Sequence, residues 1–229
     1  YMHRYGFGQS TGIDLVGENT GVVPSLAYKA SRSREPWYAG ETVIAGIGQG
    51  YWIATALQLA RGTAAIANGG VLHPLRLVAE RKTAYDQPWR AVPAEPAPRI
   101  TDNVEHLRAV QEGMEATIHG RGTATRMAQG ASYRMAGKTG TAQRIGRRGS
   151  ANLDPRALPY HLRHQALFVG YAPAENPTIA LAVVVEHGGY GGATAAPIAR
   201  RIFDAWVLRN ATDAIGAPGA TAGAEAGAP

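Results

Sequence analysis

The sequence predicts an α+β fold: a helical part over about residues 50–130, an antiparallel hairpin-type sheet over 132–186, and a closing helix. Three observations carry this. Two stretches, 56–67 and 103–118, join a helical apolar period to an N-terminal capping pattern. Two apolar runs of strand length, Ala166–Tyr171 and Thr178–Val185, are linked by Ala172-Pro-Ala-Glu-Asn-Pro177, which is turn chemistry. Pro197 then opens a last amphipathic stretch, at a position where its missing N–H costs little.

In chain order, Tyr1–Gly8 opens in mid-pattern, and the expectation is a piece of a longer protein. Residues 8–50 are rich in Gly and turn residues and show few helical periods, with Gly12–Gly17 a short strand or extended loop. Thr55 and Gln58 form the capping box of helix 56–67. Leu59, Thr63 and Ile66 share its face, and Asn68-Gly69-Gly70 stops it. Pro88, Pro93, Pro96 and Pro98 make 84–99 a loop. Asp102 and Glu105 give a second capping box, Val104, Leu107, Gln111, Met114 and Ile118 trace the period, and His119-Gly120 ends it. A short helix follows near 122–129. Tyr133–Gln143 alternates weakly as a strand, and 144–160 is a basic loop. The closing helix sets Ile198, Ile202, Ala205 and Trp206 on one face. From Asn210 the Ala/Gly/Pro-rich sequence reads as a disordered tail, so the organisation is 1–209 plus 210–229.

Composition narrows the function. Of 229 residues, 45% are hydrophobic and 17% charged, which suits a globular core. No run of about 18 apolar residues is present, and the opening residues lack the charged-then-apolar pattern of a signal peptide. Without cysteine there is no disulfide, thiolate metal site or cysteine nucleophile. The net charge of +6 comes from arginines scattered along the chain, with lysine only at 29, 82 and 138. Scattered charge does not mark a nucleic-acid surface, and none is expected as a partner.

The most informative triplet is Lys138-Thr139-Gly140. Lys138 offers a cation, Thr139 and Thr141 offer hydroxyls on one strand face, and Gly140 leaves room for close approach. Such a strand could bind an extended peptide edge-on, hold its carboxylate, and aim a backbone N–H at a reacting carbonyl. Alone, three common residues falling together is the blander explanation. Two rivals fail on spacing. A phosphate loop ending Gly137-Lys138-Thr139 needs Gly where Ser132 stands, and a dinucleotide fingerprint from Gly46 and Gly48 needs Gly where Tyr51 stands. His161 and His164 lie in a basic loop without carboxylates nearby, so both are expected to face solvent, and no metal site is expected.

Several further motifs occur in order: Pro36-Trp-Tyr-Ala-Gly-Glu-Thr42, Gly46-Ile-Gly-Gln-Gly-Tyr-Trp52, Ala54-Thr-Ala-Leu-Gln-Leu-Ala60, Ile66-Ala-Asn-Gly-Gly70, Gly122-Thr-Ala124, Gly137-Lys-Thr-Gly-Thr-Ala-Gln143, Phe168-Val-Gly-Tyr-Ala-Pro173 and Ala196-Pro-Ile-Ala-Arg200. Together they resemble the transpeptidase domain of class B penicillin-binding proteins over about residues 5–208, and the Gly-Gln-Gly-Tyr-Trp loop resembles the elongation branch of that family. The fold this implies is part of the penicillin-binding protein/serine β-lactamase-like transpeptidase fold. Of the family's Ser-x-x-Lys, Ser-x-Asn and Lys-Thr-Gly motifs, only the last is present in order. Ser-x-x-Lys would need serine where Leu26, Ala79 and Met135 stand, and Ser150-Ala-Asn152 follows Lys-Thr-Gly rather than preceding it.

The resemblance implies a peptidoglycan D,D-transpeptidase of cell-wall elongation and a penicillin target, here without its nucleophilic serine. The isolated chain is then expected to be inactive. Lys138 and Thr141 would serve catalysis, Lys138 by its potential and Thr141 by an oxyanion-holding N–H. Lys138, Thr139, Gly140 and Thr141 would bind the substrate carboxylate. No cofactor is implied. Implied partners are the peptidoglycan stem peptide and β-lactams, and in the intact protein a SEDS-type glycosyltransferase and other elongation-complex proteins. The implied place is the periplasmic side of a bacterial inner membrane. Two alternatives stay open: a non-catalytic peptide- or partner-binding module, and a serine β-lactamase or β-lactam sensor fragment. The resemblance also implies a sheet of about three strands that only the closing helix clearly covers, on one face.

Overall fold

The computed structural model describes residues 1–93, 95–143 and 158–216, with 210–216 as backbone alone. The basic stretch 144–157, Ser150 and Asn152 included, and residues 217–229 lie outside the described residues.

Three strands carry the architecture, and their residues explain which way they pack. Strands β3 (Ala136–Ala142), β4 (Gln165–Ala172) and β5 (Ile179–Val185) form an antiparallel sheet in the order β3-β4-β5. Lys138 pairs with Val169, Thr139 with Phe168 and Thr141 with Ala166, so alternation sends Thr139, Thr141, Ala166 and Phe168 to one face and Lys138 to the other. Phe168 is fully buried, and a side chain at Gly137 or Gly170 would overlap its ring. Glycine before Lys138 is therefore a packing requirement.

The closing helix α5 (Ala195–Gly216) covers the Phe168 face with Ala195, Ala196, Ala199 and Phe203, the small residues letting helix and sheet approach closely. The other face is covered as well, which the sequence reading did not anticipate. There Ile66 and Ala67, at the end of helix α3 (Ala56–Ala67), join Met114 of helix α4 (Val104–His119) around Ala136, Tyr171 and Ala180. Arg200 ties α5 to the segment leading into β3. Its guanidinium donates to both Asp204 oxygens and to the Met127 and Gln129 carbonyls, while the Tyr133 hydroxyl donates to Asp204. Burial, then Asp204, push the Tyr133 hydroxyl far above its usual range.

Local details differ from the sequence reading for identifiable reasons. The Thr55–Gln58 capping box forms as expected, but buried Gln58 also donates to the Gln9 and Thr20 carbonyls and so holds the N-terminal loop. Helix α4 is capped by Asn103, whose Oδ1 accepts from the His106 N–H, one residue after the expected Asp102. Residues 8–50 contain helices α1 (Leu26–Arg32) and α2 (Ala39–Gly46), each too short to show a clear period. The proline-rich loop holds a two-residue ladder, β1 (Glu80–Arg81) with β2 (Arg90–Ala91). The short helix expected near 122–129 is a 3-10 helix over Thr125–Ala128. His164 is buried, against the expectation that it faces solvent. Helix α5 starts two residues before Pro197, still within the turn whose N–H groups lack helical partners, and runs past Asn210 to Gly216, just before the helix-breaking Pro218.

One contact makes the start of β3 sensitive to pH. The N–H of fully buried Met135 donates to His119 Nε2 at 3.0 Å, which requires a neutral ring. Burial, and then the Arg134 guanidinium, hold the His119 pKa below 6.5. A lowered folded-state pKa gives stability that is complete above the unfolded value and is lost as pH falls through the folded one. The wild type should therefore exceed a His119→Ala variant by roughly 1 kcal/mol at neutral pH. The gap should close as pH drops from 7.5 to 4.5. Melting curves across that range would contradict the contact if the gap stayed constant.

Candidate active site

An edge strand hydrogen-bonds through one side and presents the other. In β3, with β4 as its one ladder partner among the described residues, alternate residues point their N–H and C=O groups to opposite edges. Two bonds show which residues face outward: Lys138 Nζ donates to the Thr139 carbonyl at 2.7 Å, and Gln49 Nε2 donates to the Thr141 carbonyl at 3.2 Å. Thr139 and Thr141 thus turn their backbone groups, N–H included, to the open edge.

That edge forms one wall of a cleft of about 860 Å³. Lys138, Thr139, Gly140 and Thr141 all line it, so the structure brings together every site residue expected from the sequence. Lys138 reaches the edge from one face, and the threonine side chains reach it from the other. A carboxylate held by both must lie along the edge rather than over either face.

The opposing walls supply residues that the sequence reading did not assign. Thr123 Oγ1 lies 2.6 Å from Thr139 Oγ1, so the two hydroxyls are paired. Thr123 owes its place to tight backbone packing. A side chain on Gly122 would overlap Thr117, and one on Gly192 would sit 2.5 Å from the Thr123 carbonyl. Gly191 lies directly against the Gly140 and Leu167 carbonyls. The Gly122-Thr-Ala124 motif and the glycines at 188–192 were the available signals, but nothing local said that they meet at β3.

The third wall is the loop after α2. Gly48 (φ 76) and Gly50 (φ 78) are left-handed on either side of Gln49, which aims its side chain at the strand. Trp52 Nε1 donates to the Ala45 carbonyl at 2.8 Å, and Tyr51 donates to Glu41 at 3.0 Å. Glu41 is paired at 2.8 Å with Lys29, which is 4% exposed. Lys29 and the Tyr38 N–H hold the Glu41 carboxyl below its usual range. Among the described residues no cluster of His, Asp and Glu could hold a metal ion.

Comparison with known proteins places this arrangement. The family model for the penicillin binding protein transpeptidase domain matches residues 1–204. The chain is 35% identical over 206 residues to peptidoglycan D,D-transpeptidase MrdA of Salmonella typhimurium, covering 89% of this chain and 33% of that protein. It is 38% identical over 216 residues to MrdA of Acinetobacter baumannii, covering 91% and 30%. The chain thus spans about a third of the length of the curated relatives it matches. Among solved structures, PBP2 of Pseudomonas aeruginosa in complex with WCK 5153 matches with TM-score 0.72 and 42% identity, over 90% of this chain and 41% of that one. PBP2 of Helicobacter pylori in complex with MreC matches with TM-score 0.72 and 28% identity, over 94% and 35%.

The contact of Gly191 with the strand is directly testable. Gly191→Ala should push the 190–192 loop off β3 and cost about 1–3 kcal/mol. Gly113→Ala, where an added methyl meets nothing within 4 Å, is a control and should be neutral or slightly stabilising. Equal melting temperatures for the two variants would contradict the close approach.

Proposed function

The chain belongs to the penicillin-binding protein transpeptidase family, and from that premise we propose that it forms the Lys-Thr-Gly side of a peptidoglycan D,D-transpeptidase site. The observation that carries the reading is the open edge of β3, with Lys138 and the two threonines lining one cleft. Residues 1–209 would be the C-terminal part of the transpeptidase domain. The nucleophilic serine and the Ser-x-Asn motif, absent in family order from these 229 residues, would come from the rest of the full-length protein.

The chemistry follows from the edge. A stem peptide ending in D-Ala-D-Ala lies along β3 with its terminal carboxylate between Lys138 and the Thr139 and Thr141 hydroxyls. Thr123 orients the Thr139 hydroxyl. The serine oxygen attacks the penultimate D-Ala carbonyl, and its proton passes through the enzyme's base to the departing amine. The carbonyl oxygen becomes an oxyanion that the Thr141 N–H stabilises, and the terminal D-Ala leaves. An amine of a second stem then attacks the acyl-enzyme, which releases the serine and forms the cross-link. Lys138 supplies positive potential to both steps. A β-lactam would enter by the same acylation.

Relatives support the wider setting. The H. pylori protein is in complex with MreC, and another match (32% identity, TM-score 0.65, over 90% of this chain and 32% of that one) comes from a peptidoglycan synthase complex. Partners of this kind, a SEDS-type glycosyltransferase among them, and a periplasmic position beside the inner membrane fit the reading. No described helix is long and apolar enough to cross a membrane.

Fluorescent penicillin tests the proposal. The full-length protein should be labelled on a denaturing gel and the isolated chain should not. Lys138→Ala in the full-length protein should slow labelling by roughly a hundredfold or more, with the melting temperature preserved. Wild-type labelling kinetics in that variant would remove β3 from the site.

A further inference from the structure

We propose that Gln49 is a positioning residue for this site: its side-chain amide, reaching across the cleft, holds the carbonyl of Thr141 and so fixes the direction of the Thr141 N–H. The inference rests on the transpeptidase reading for its consequence and on geometry for its substance. A backbone carbonyl can only accept, so the Gln49 group facing it at 3.2 Å must be the NH2 end. One of the two hydrogens on that nitrogen serves Thr141.

The need for such a contact follows from the place of Thr141. It is the second-to-last residue of an edge strand, where a ladder frays most easily. Its carbonyl, left unpartnered, would be free to swing a lone pair toward the oxyanion that its own N–H is meant to stabilise. Gln49 occupies that lone pair and pins the strand end.

The loop is built to deliver the side chain at one place. The Gln49 N–H donates to the Ile44 carbonyl at 3.1 Å, and left-handed glycines stand on both sides. Trp52, bonded to the Ala45 carbonyl, packs edge-on against Phe7. Tyr51 lies between Tyr28 and Trp37 with its hydroxyl on Glu41. Glu41 in turn is held by Lys29, which also donates to the Pro36 carbonyl at 2.7 Å. The post that carries Gln49 is thus fixed by helices α1 and α2 together.

Two substitutions in the full-length protein separate this role from simple packing. Gln49→Leu keeps the volume and removes the donor. Gln49→Glu can donate only when its carboxyl is protonated. Backbone hydrogen exchange over residues 136–143 without ligand should be roughly tenfold faster in Gln49→Leu, since an edge hydrogen bond closes the local opening. With fluorescent penicillin, that variant's acylation rate constant should fall about tenfold or more, while the dissociation constant before acylation changes by less than about threefold. Gln49→Glu should show the same deficit at pH 8 and, compared with the wild type at each pH, recover progressively as pH falls from about 5.5 to about 3.5, through the ordinary range for glutamate. Unchanged exchange over 136–143 in Gln49→Leu overturns the proposal, as does a Gln49→Glu deficit that pH does not relieve. If the wild-type protein takes no label, the transpeptidase reading fails, and the exchange measurement alone decides whether Gln49 holds the strand.

Discussion

A β-strand has two hydrogen-bonding edges, and among the described residues β3 pairs through only one of them, the constraint on which the proposed site depends. Pairing with β4 consumes the groups of Lys138 and Gly140, and so commits those of Thr139 and Thr141 to the cleft. Chemistry and register are then one fact. A slip of one residue would turn the outward N–H groups into the sheet and exchange the faces of the lysine and the threonines. The packing of Phe168 over Gly137 and Gly170 opposes such a slip, because a shifted register would put a side chain where the ring lies. The strand is in this way fixed from its paired side.

The layers on either side of the sheet serve the same end. Helix α5 packs small residues and Phe203 against one face, and Arg200 carries its influence to the 127–133 segment that feeds β3. Helices α3 and α4 meet the other face through Ile66, Ala67 and Met114. His119, at the end of α4, accepts the first N–H before the strand begins. The strand is therefore held at its entrance by a ring nitrogen, along its length by β4, and near its exit by Gln49.

What was legible in the sequence was whatever is encoded over a few residues. Helix α3 declared its cap and its period within twelve positions, and the paired strands declared theirs by composition and by the turn between them. The Lys138–Thr141 run stood out because its residue types have a joint chemical meaning. Other features depend on neighbours far along the chain. The Thr123–Thr139 pair spans 16 residues and the Gln49–Thr141 bond 92, and no local pattern announces either. Helix α2 was missed because its N-cap is Tyr38, with Glu41 reaching back to the Tyr38 N–H, and an aromatic cap does not resemble the usual Ser, Thr, Asp or Asn. The Asp102 assignment missed by one residue because Asp102 and Asn103 are both good caps and only the backbone turn chooses between them. Cover for the second sheet face is not legible, because α3 and α4 reach it from about 70 to 20 residues upstream and no local pattern says that their apolar faces meet the sheet.

The use of lysine gives a last link between composition and site. The chain writes nearly all of its positive charge as arginine and keeps lysine at three positions. Two of them belong to facing walls of the cleft: Lys138 lines it from β3, and Lys29 lies beneath the loop that carries Gln49. Both places call for a compact ammonium. Lys29 sits in a nearly closed space and serves the Glu41 carboxylate and the Pro36 carbonyl from one nitrogen, with the Tyr38 ring 4.5 Å below it. A planar guanidinium spreads its donors in a fixed fork and would not converge on that point. Lys138 must bend back along the edge to its neighbour's carbonyl and still present charge to a ligand, which a flexible stem and three rotating donors allow. At these two positions geometry as well as charge favours lysine, and both positions serve walls of one cleft.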